Sequence, residues 1–234
     1  MTGFTPHPGT PGCVLFDVDG TLIDSYRLYL ESYARALQPY LGRIPQHAEV
    51  ARQRPSSERH FLIEWLGPEQ GAACHTAMCE AYEELHSTFC EGVYDGVPEM
   101  LAAFRAAGVP MGVVTGKGRR AWEVTERELQ LGHFAVVITE DEVSRPKPDP
   151  GGLLMAAREM SAEPAETLYI GDSASDMAAA RSAGMMAGAA LWPKTAPGEK
   201  DAFRGEVGSH NPDWFFDQPA DLVRLLAPGA ASWT

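Results

Sequence analysis

The chain has 234 residues, 44% of them hydrophobic, which suffices for one large domain or two unequal ones. Its 32 acids against 19 bases give a net charge of −13, which argues against nucleic acid or an anionic membrane surface as a main partner. No apolar run approaches the roughly 20 residues that a membrane span needs.

The first twelve residues hold three prolines and three glycines and read as a loose tail, without the basic and apolar regions of a secretory signal. Val14, Leu15 and Phe16 then form a short apolar run bounded by turn residues, the pattern of a buried strand. Asp17 and Asp19, two apart, share one face where that strand ends, and Gly20 lets the chain turn. Like charges held so close are unfavourable unless a cation joins them, so the pair predicts a magnesium site with one carboxylate left to react.

Asp24 or Ser25 can cap a helix whose apolar positions Tyr26, Leu30, Tyr33, Ala34 and Leu37 follow the 3.6-residue period; Pro39, Gly42 and Pro45 break it. A second short helix carries Phe61, Leu62, Trp65 and Leu66 and stops at Gly67-Pro68. A third sets Cys74, Met78, Tyr82, Leu85 and Phe89 on one stripe. No strand signal is visible between Asp24 and Glu91. The rhythm then changes. A helix around Val97, Met100, Leu101 and Phe104 ends at Gly108, Met111–Thr115 reads as a strand, and a helix follows to about Leu129. Ala135–Thr139 is the next strand, and Asp149 and Pro150 suit the cap and first position of another helix. Thr167–Gly171 is a strand, the alanine-rich run after Asp176 a helix closed by Gly184, Ala187–Leu191 a further strand and Asp213–Phe216 a short last one.

Strands alternating with helices in this way predict an α/β fold with a doubly wound, Rossmann-like parallel sheet. The all-helical stretch 24–94 is far too long for a loop, so it is expected to be an inserted all-α helical cap over the carboxyl ends of the strands. Residues 1–23 and 95–234 would then form the core, with the Gly-, Pro- and charge-rich 193–211 as an irregular excursion. The four cysteines, Cys13, Cys74, Cys79 and Cys90, show no CxxC spacing or Cys/His cluster that suggests zinc. Reduced structural thiols in a cytoplasmic protein are expected.

Parallel strands bring their carboxyl ends to one edge, where Asp17 and Asp19, Thr115 and Gly116, Lys147, and Asp172 with Asp176 would meet. Carboxylates, a hydroxyl, free backbone N–H groups and one lysine are the equipment for an oxygen-ligated divalent ion and a phosphate. With these motifs assembled, the chain resembles the helical-capped phosphatases of the haloacid dehalogenase superfamily, close in type to phosphoglycolate phosphatases. The resemblance rests on Asp17-Val-Asp19-Gly20-Thr21, the strand ending at Thr115, Lys147 in Arg-Pro-Lys-Pro-Asp-Pro, and Gly171-Asp172-Ser-Ala-Ser-Asp176.

The resemblance implies roles. Asp17 would attack phosphorus to give an aspartyl-phosphate, and Asp19 would act as acid and then base. Magnesium (Mg2+) would be held by Asp17, the backbone carbonyl of Asp19, and Asp172. Thr115 and the N–H of Gly116 would bind phosphoryl oxygens of a small phosphorylated substrate, Lys147 would offset charge, and Asp176 would orient Lys147 or a metal-bound water. Many relatives carry Asn or Ser where this chain has Gly116, so one side-chain contact is absent. A phosphosugar mutase of the same superfamily is the nearest enzymatic alternative, against which Thr21 is a small mark. A non-catalytic binding module would be marked by a lost motif residue, and none is lost.

Other readings are weaker. As a calcium loop, Asp17-Val-Asp19-Gly20 has its glycine in fourth place and Leu28 at the twelfth. Gly116-Lys-Gly118-Arg-Arg-Ala121, with Glu140 and Asp141 beyond, fits a dinucleotide-binding fingerprint, though on the second strand of the sheet. Arg52, Arg54, Arg59 and His60 are by default a solvated face; alternatively one of them, Arg54 above all, reaches the part of the substrate that is not transferred.

Overall fold

The computed structural model describes residues 11–53 and 57–228. Arg54 and most of the N-terminal tail therefore lie outside the described residues. In chain order the elements are β1 Cys13–Phe16, β2 Ile23–Asp24, α1 Tyr26–Leu41, α2 His47–Arg52, α3 Glu58–Leu66, α4 Pro68–Phe89 and β3 Gly92–Val93. There follow α5 Val97–Ala107, β4 Met111–Val114, α6 Arg119–Leu129, β5 Val136–Ile138, α7 Gly151–Glu159 and β6 Thr167–Gly171. The last are α8 Ala174–Ser182, β7 Met186–Ala190, α9 Glu199–Val207, β8 Trp214–Phe216 and α10 Pro219–Leu226.

Six strands form one parallel sheet in the order β5-β4-β1-β6-β7-β8. The alternating side chains of β1 explain why it is apolar throughout: Val14 and Phe16 enter the core on one face, and Leu15 enters the core on the other. The first face is covered by Met100 and Phe104 of α5 and Leu222 and Leu226 of α10, the second by Leu153 of α7, Met177 of α8 and Phe203 of α9. Register then levels the edge. Phe16 pairs with both Val113 and Ile170, so the residues just past β1, β4 and β6 come out side by side. Those residues are Asp17, Thr115 and Asp172.

Helices α1 to α4 enclose a third apolar cluster, with Leu28, Leu37, Leu62, Met78 and Tyr82 inside and Ala121 and Val124 of α6 closing it from the sheet side. Gly71 allows α3 and α4 to meet backbone to backbone, since a Cβ there would stand 2.5 Å from the Ile63 Cα. The chain enters and leaves this block through β2 and β3, which pair antiparallel as Ile23 with Val93 and Asp24 with Gly92.

That ribbon was not expected, because two residues per strand carry no periodicity. Two further expectations need correction. The 193–211 excursion contains α9, which buries Phe203 and Val207 and is followed by a 3-10 turn at Gly208–His210. Helix α7 begins one residue later than the cap signal implied: Pro150 is its N-cap, and Asp149 Oδ1 accepts from the Gly151 N–H at 2.9 Å. No helix among the described residues is long and apolar enough to cross a membrane.

Candidate active site

The levelled strand ends open into a cavity of about 900 Å³ between the sheet, helices α1 to α3 and helix α9. Asp17, Asp19, Thr115, Gly116, Lys147 and Asp172 all line it. The Lys147 ammonium lies 3.0 Å from Asp17 Oδ1 and 2.6 Å from Asp176 Oδ1, and donates to the Tyr169 hydroxyl at 2.9 Å. Burial alone would lower the pKa of Lys147, but Asp17 and Asp176 outweigh it and the ammonium is held charged. Asp176 is fully buried; its Oδ2 accepts from the Ser173 N–H and hydroxyl at 3.0 and 2.6 Å. One carboxylate thus caps α8 and contacts Lys147, the first of the two partners expected for it.

Asp17, Asp172 and Asp176 offer carboxylate oxygens within 4.8 Å of one another. Burial pushes the Asp17 carboxyl up to about 7, the neighbouring acids adding to it and Lys147 opposing. Asp172 rises to about 6, again chiefly by burial, with Lys194 Nζ at 2.7 Å from Oδ2 pulling the other way. Acids strained toward neutrality by burial and by each other suit a hard divalent cation bound through oxygen. Gly20 makes room for it: its φ is +75°, and a Cβ there would fall 2.6 Å from Asp172 Oδ2. The donor set fits such an ion.

Asp19 turns the other way. Its Oδ1 accepts from the Ser25 hydroxyl at 2.5 Å and lies 3.0 Å from Lys117 Nζ. Ser25 does stand at the N-cap of α1, but its side chain makes no capping bond. Lys117 is fully buried and also donates to the Tyr29 and Tyr82 hydroxyls, each at 2.8 Å. Burial disfavours its charge, yet Asp19, Tyr82 and Glu58 raise its pKa on balance. Thr115 Oγ1 accepts from the Lys117 N–H at 3.2 Å. Lys117, Ser25 and Lys194 were not among the expected site residues. Lys117 had a visible signal, a lysine directly behind Thr115-Gly116, but it was absorbed into the glycine fingerprint.

That fingerprint does not survive as a nucleotide site. Asp141 Oδ2 accepts from the Arg119 N–H at 2.6 Å at the start of α6, and Glu140 accepts from the Arg59 N–H at 2.8 and 3.0 Å. A Cβ on Gly118 would lie 2.8 Å from Glu58 Oε2. Protein carboxylates fill the place a pyrophosphate would need. Of the basic cluster, Arg52 and Arg59 are exposed, and His60 Nδ1 sits 3.7 Å from Glu140 Oε2.

A model of haloacid dehalogenase-like hydrolases matches residues 14–190. The chain belongs to that family. It shares 30% identity over 219 residues with the N-acetylmuramic acid 6-phosphate phosphatase of Pseudomonas aeruginosa, covering 91% of this chain and 93% of that one. With the phosphoglycolate phosphatase of Pseudomonas putida it shares 34% over 198 residues, covering 79% and 72%. With pyrophosphatase PpaX of Bacillus mycoides the figures are 31% over 218 residues, 92% and 96%. A crystal structure of a hydrolase from Pseudomonas syringae superposes with a TM-score of 0.75 at 24% identity, covering 92% of this chain and 98% of that one. That of CbbY from Rhodobacter sphaeroides with phosphate gives 0.75 at 22%, covering 91% and 96%. As a haloacid dehalogenase-like hydrolase the chain is an enzyme, and its six-stranded α/β sheet is the family's fold.

Proposed function

We propose that this hydrolase is a magnesium-dependent phosphatase that cleaves a small phosphorylated metabolite of the phosphoglycolate kind through an aspartyl-phosphate. The observation that carries the reading is the division of labour between two aspartates on one turn: Asp17 faces Lys147, while Asp19 is held apart by Ser25 and Lys117. Asp17 is the nucleophile toward phosphorus. Asp19 gives its proton to the departing oxygen, then takes one from the water that opens the acyl phosphate. The Thr115 hydroxyl and the Gly116 N–H hold phosphoryl oxygens, and Lys147 offsets the charge shared by phosphate and nucleophile. Asp17, Asp172 and the Asp19 carbonyl would hold the magnesium ion, which when bound screens the approach of one anion to another.

Helices α1 to α4 act as the cap, residues 24–94 being an insertion in a core made of the rest, and they select the ester in a cytoplasmic setting. The curated relatives point to a compact anionic ester or anhydride, since their names specify a sugar phosphate, phosphoglycolate and pyrophosphate. The test is phosphate release from an aryl phosphate and from those three compounds, with magnesium and after chelation. Release is expected only with magnesium, and Asp17→Asn should lower it at least ~10³-fold. Activity persisting in Asp17→Asn would overturn the mechanism, and transfer of phosphate between sugar positions without release would place the enzyme among the mutases instead.

A further inference from the structure

Away from the Asp17 cavity floor, a second group of side chains meets where α3 and α4 touch the sheet domain. Helix α4 presents His75 and Cys79 four residues apart on one face. Glu58 opens α3, and Glu140 follows β5. All converge on one atom, His75 Nε2. It lies 3.4 Å from Glu58 Oε2, 3.4 Å from Glu140 Oε1 and 3.5 Å from Cys79 Sγ. The Glu58, His75 and Cys79 donor atoms are all within 4.8 Å of one another.

As hydrogen bonds these contacts are poor. A single N–H cannot serve three acceptors, and N–H···O bonds centre near 2.9–3.0 Å. As edges of a coordination tetrahedron they are the right length, because Zn–N and Zn–O near 2.0–2.1 Å and Zn–S near 2.3 Å put N···O at about 3.4 Å and N···S at about 3.5 Å. We propose that Glu58, His75 and Cys79, with Glu140 beside them, form a second metal site that takes a zinc-like divalent ion. It departs from the sequence reading, in which no Cys/His cluster was seen.

The chemistry of the surroundings agrees. Glu58, Cys79 and Glu140 are 2%, 4% and 4% exposed, so two carboxylates sit out of water and call for positive charge. Without an ion, His75 supplies it. Burial disfavours its imidazolium, but Cys79, Glu140 and Glu58 raise it to about 12. An incoming ion must therefore displace the imidazole proton. Zinc and cobalt, which bind nitrogen and sulfur strongly, do so, and magnesium does not. The two sites thus sort their metals by donor: oxygen alone at Asp17 and Asp172, nitrogen and sulfur here. Once bound, the ion cross-links α3 to α4, and through Glu140 it ties both to the sheet. Glu58 also lines the cavity, so this tie fixes one wall of the substrate space.

The test is a cobalt(II) titration of the full-length protein in excess magnesium, read by absorption. One equivalent is expected to give a near-ultraviolet sulfur-to-cobalt charge-transfer band, displaced by zinc. Cys79→Ser and His75→Gln should lose the band. Cys74→Ser should keep it, since Cys74 instead donates to the Ala36 carbonyl. Asp17→Asn should keep it too. No band in the native protein, or a band that survives Cys79→Ser or vanishes in Asp17→Asn, overturns the proposal. X-ray absorption of the native protein with one zinc bound decides independently of any variant's folding. One sulfur among nitrogen and oxygen neighbours supports the site, and a shell without sulfur refutes it.

Discussion

Lys117 shows how much of the site depends on atoms far from their own Cα. Thr115, Asp17 and Asp172 follow strand ends, so their meeting is readable from the sequence once the strands are parallel. Lys147 and Asp176 are readable less directly, by the chemistry expected beside them. Lys117 is not readable in that way, because its ammonium finds Tyr29 and Tyr82 on α1 and α4, segments whose packing no local pattern dictates. The same holds for Lys194, which reaches Asp172 from a stretch that looked irregular. Replacing Lys117 by Met leaves two phenols and the half-buried Asp19 without their shared partner. Stability should fall by about 1–3 kcal/mol, the cost of leaving buried hydrogen-bonding groups unpaired. Turnover should fall roughly 100-fold, the lower end of what acid–base catalysis supplies. Steady-state kinetics and thermal melting check both, and unchanged turnover would show that Asp19 needs no help from Lys117.

At the scale of elements, long stripes were legible and short ones were not. Helices α1, α4 and α5 repeat their apolar positions over several turns. By contrast, α9 offers only Phe203 and Val207, with Gly205 between them, and β2 and β3 offer two residues each. Helix α4 also carries a pH dependence. His86 is buried edge-on against Tyr82, with Nε2 lacking a hydrogen-bond partner, and burial first, then Lys117, lowers its pKa from the ordinary 6.5. The neutral ring is the one the fold accepts. Its contribution is therefore intact above pH 6.5 and is lost as pH falls through the lower folded value. Denaturant unfolding from pH 8 down to pH 5 should show this decline, and His86→Phe should flatten it. An equal slope in the variant would assign the acid sensitivity to another group.

Over the whole molecule, alternation of strand and helix was enough to read the α/β class, since each parallel pair demands a crossover and each face demands cover. The contacts that hold α1 to α4 to the sheet were not readable, because they join distant segments. The block is joined by the β2–β3 ribbon, by Ala121 and Val124 of α6, and by polar links such as Lys117 to Tyr29 and Arg59 to Glu140. The sheet is instead apolar on both faces. Junctions that rest in part on polar links open at lower free energy than cores that are apolar throughout. Amide hydrogen exchange under mild denaturant should therefore release α1 to α4 before β1, β4 and β6. Simultaneous release would mean that the two parts unfold as one unit.

The pairing of Asp24 with Gly92 has an evolutionary consequence. Because departure and return are neighbouring strands of one ribbon, the intervening segment can lengthen, shorten or be exchanged without moving any partner in the six-strand register. On the proposed function, substitutions that retune which substrate is admitted can accumulate there without shifting Asp17, Thr115 or Asp172. The ribbon is, in that sense, a grafting point where a lineage acquires new diets while keeping the same teeth.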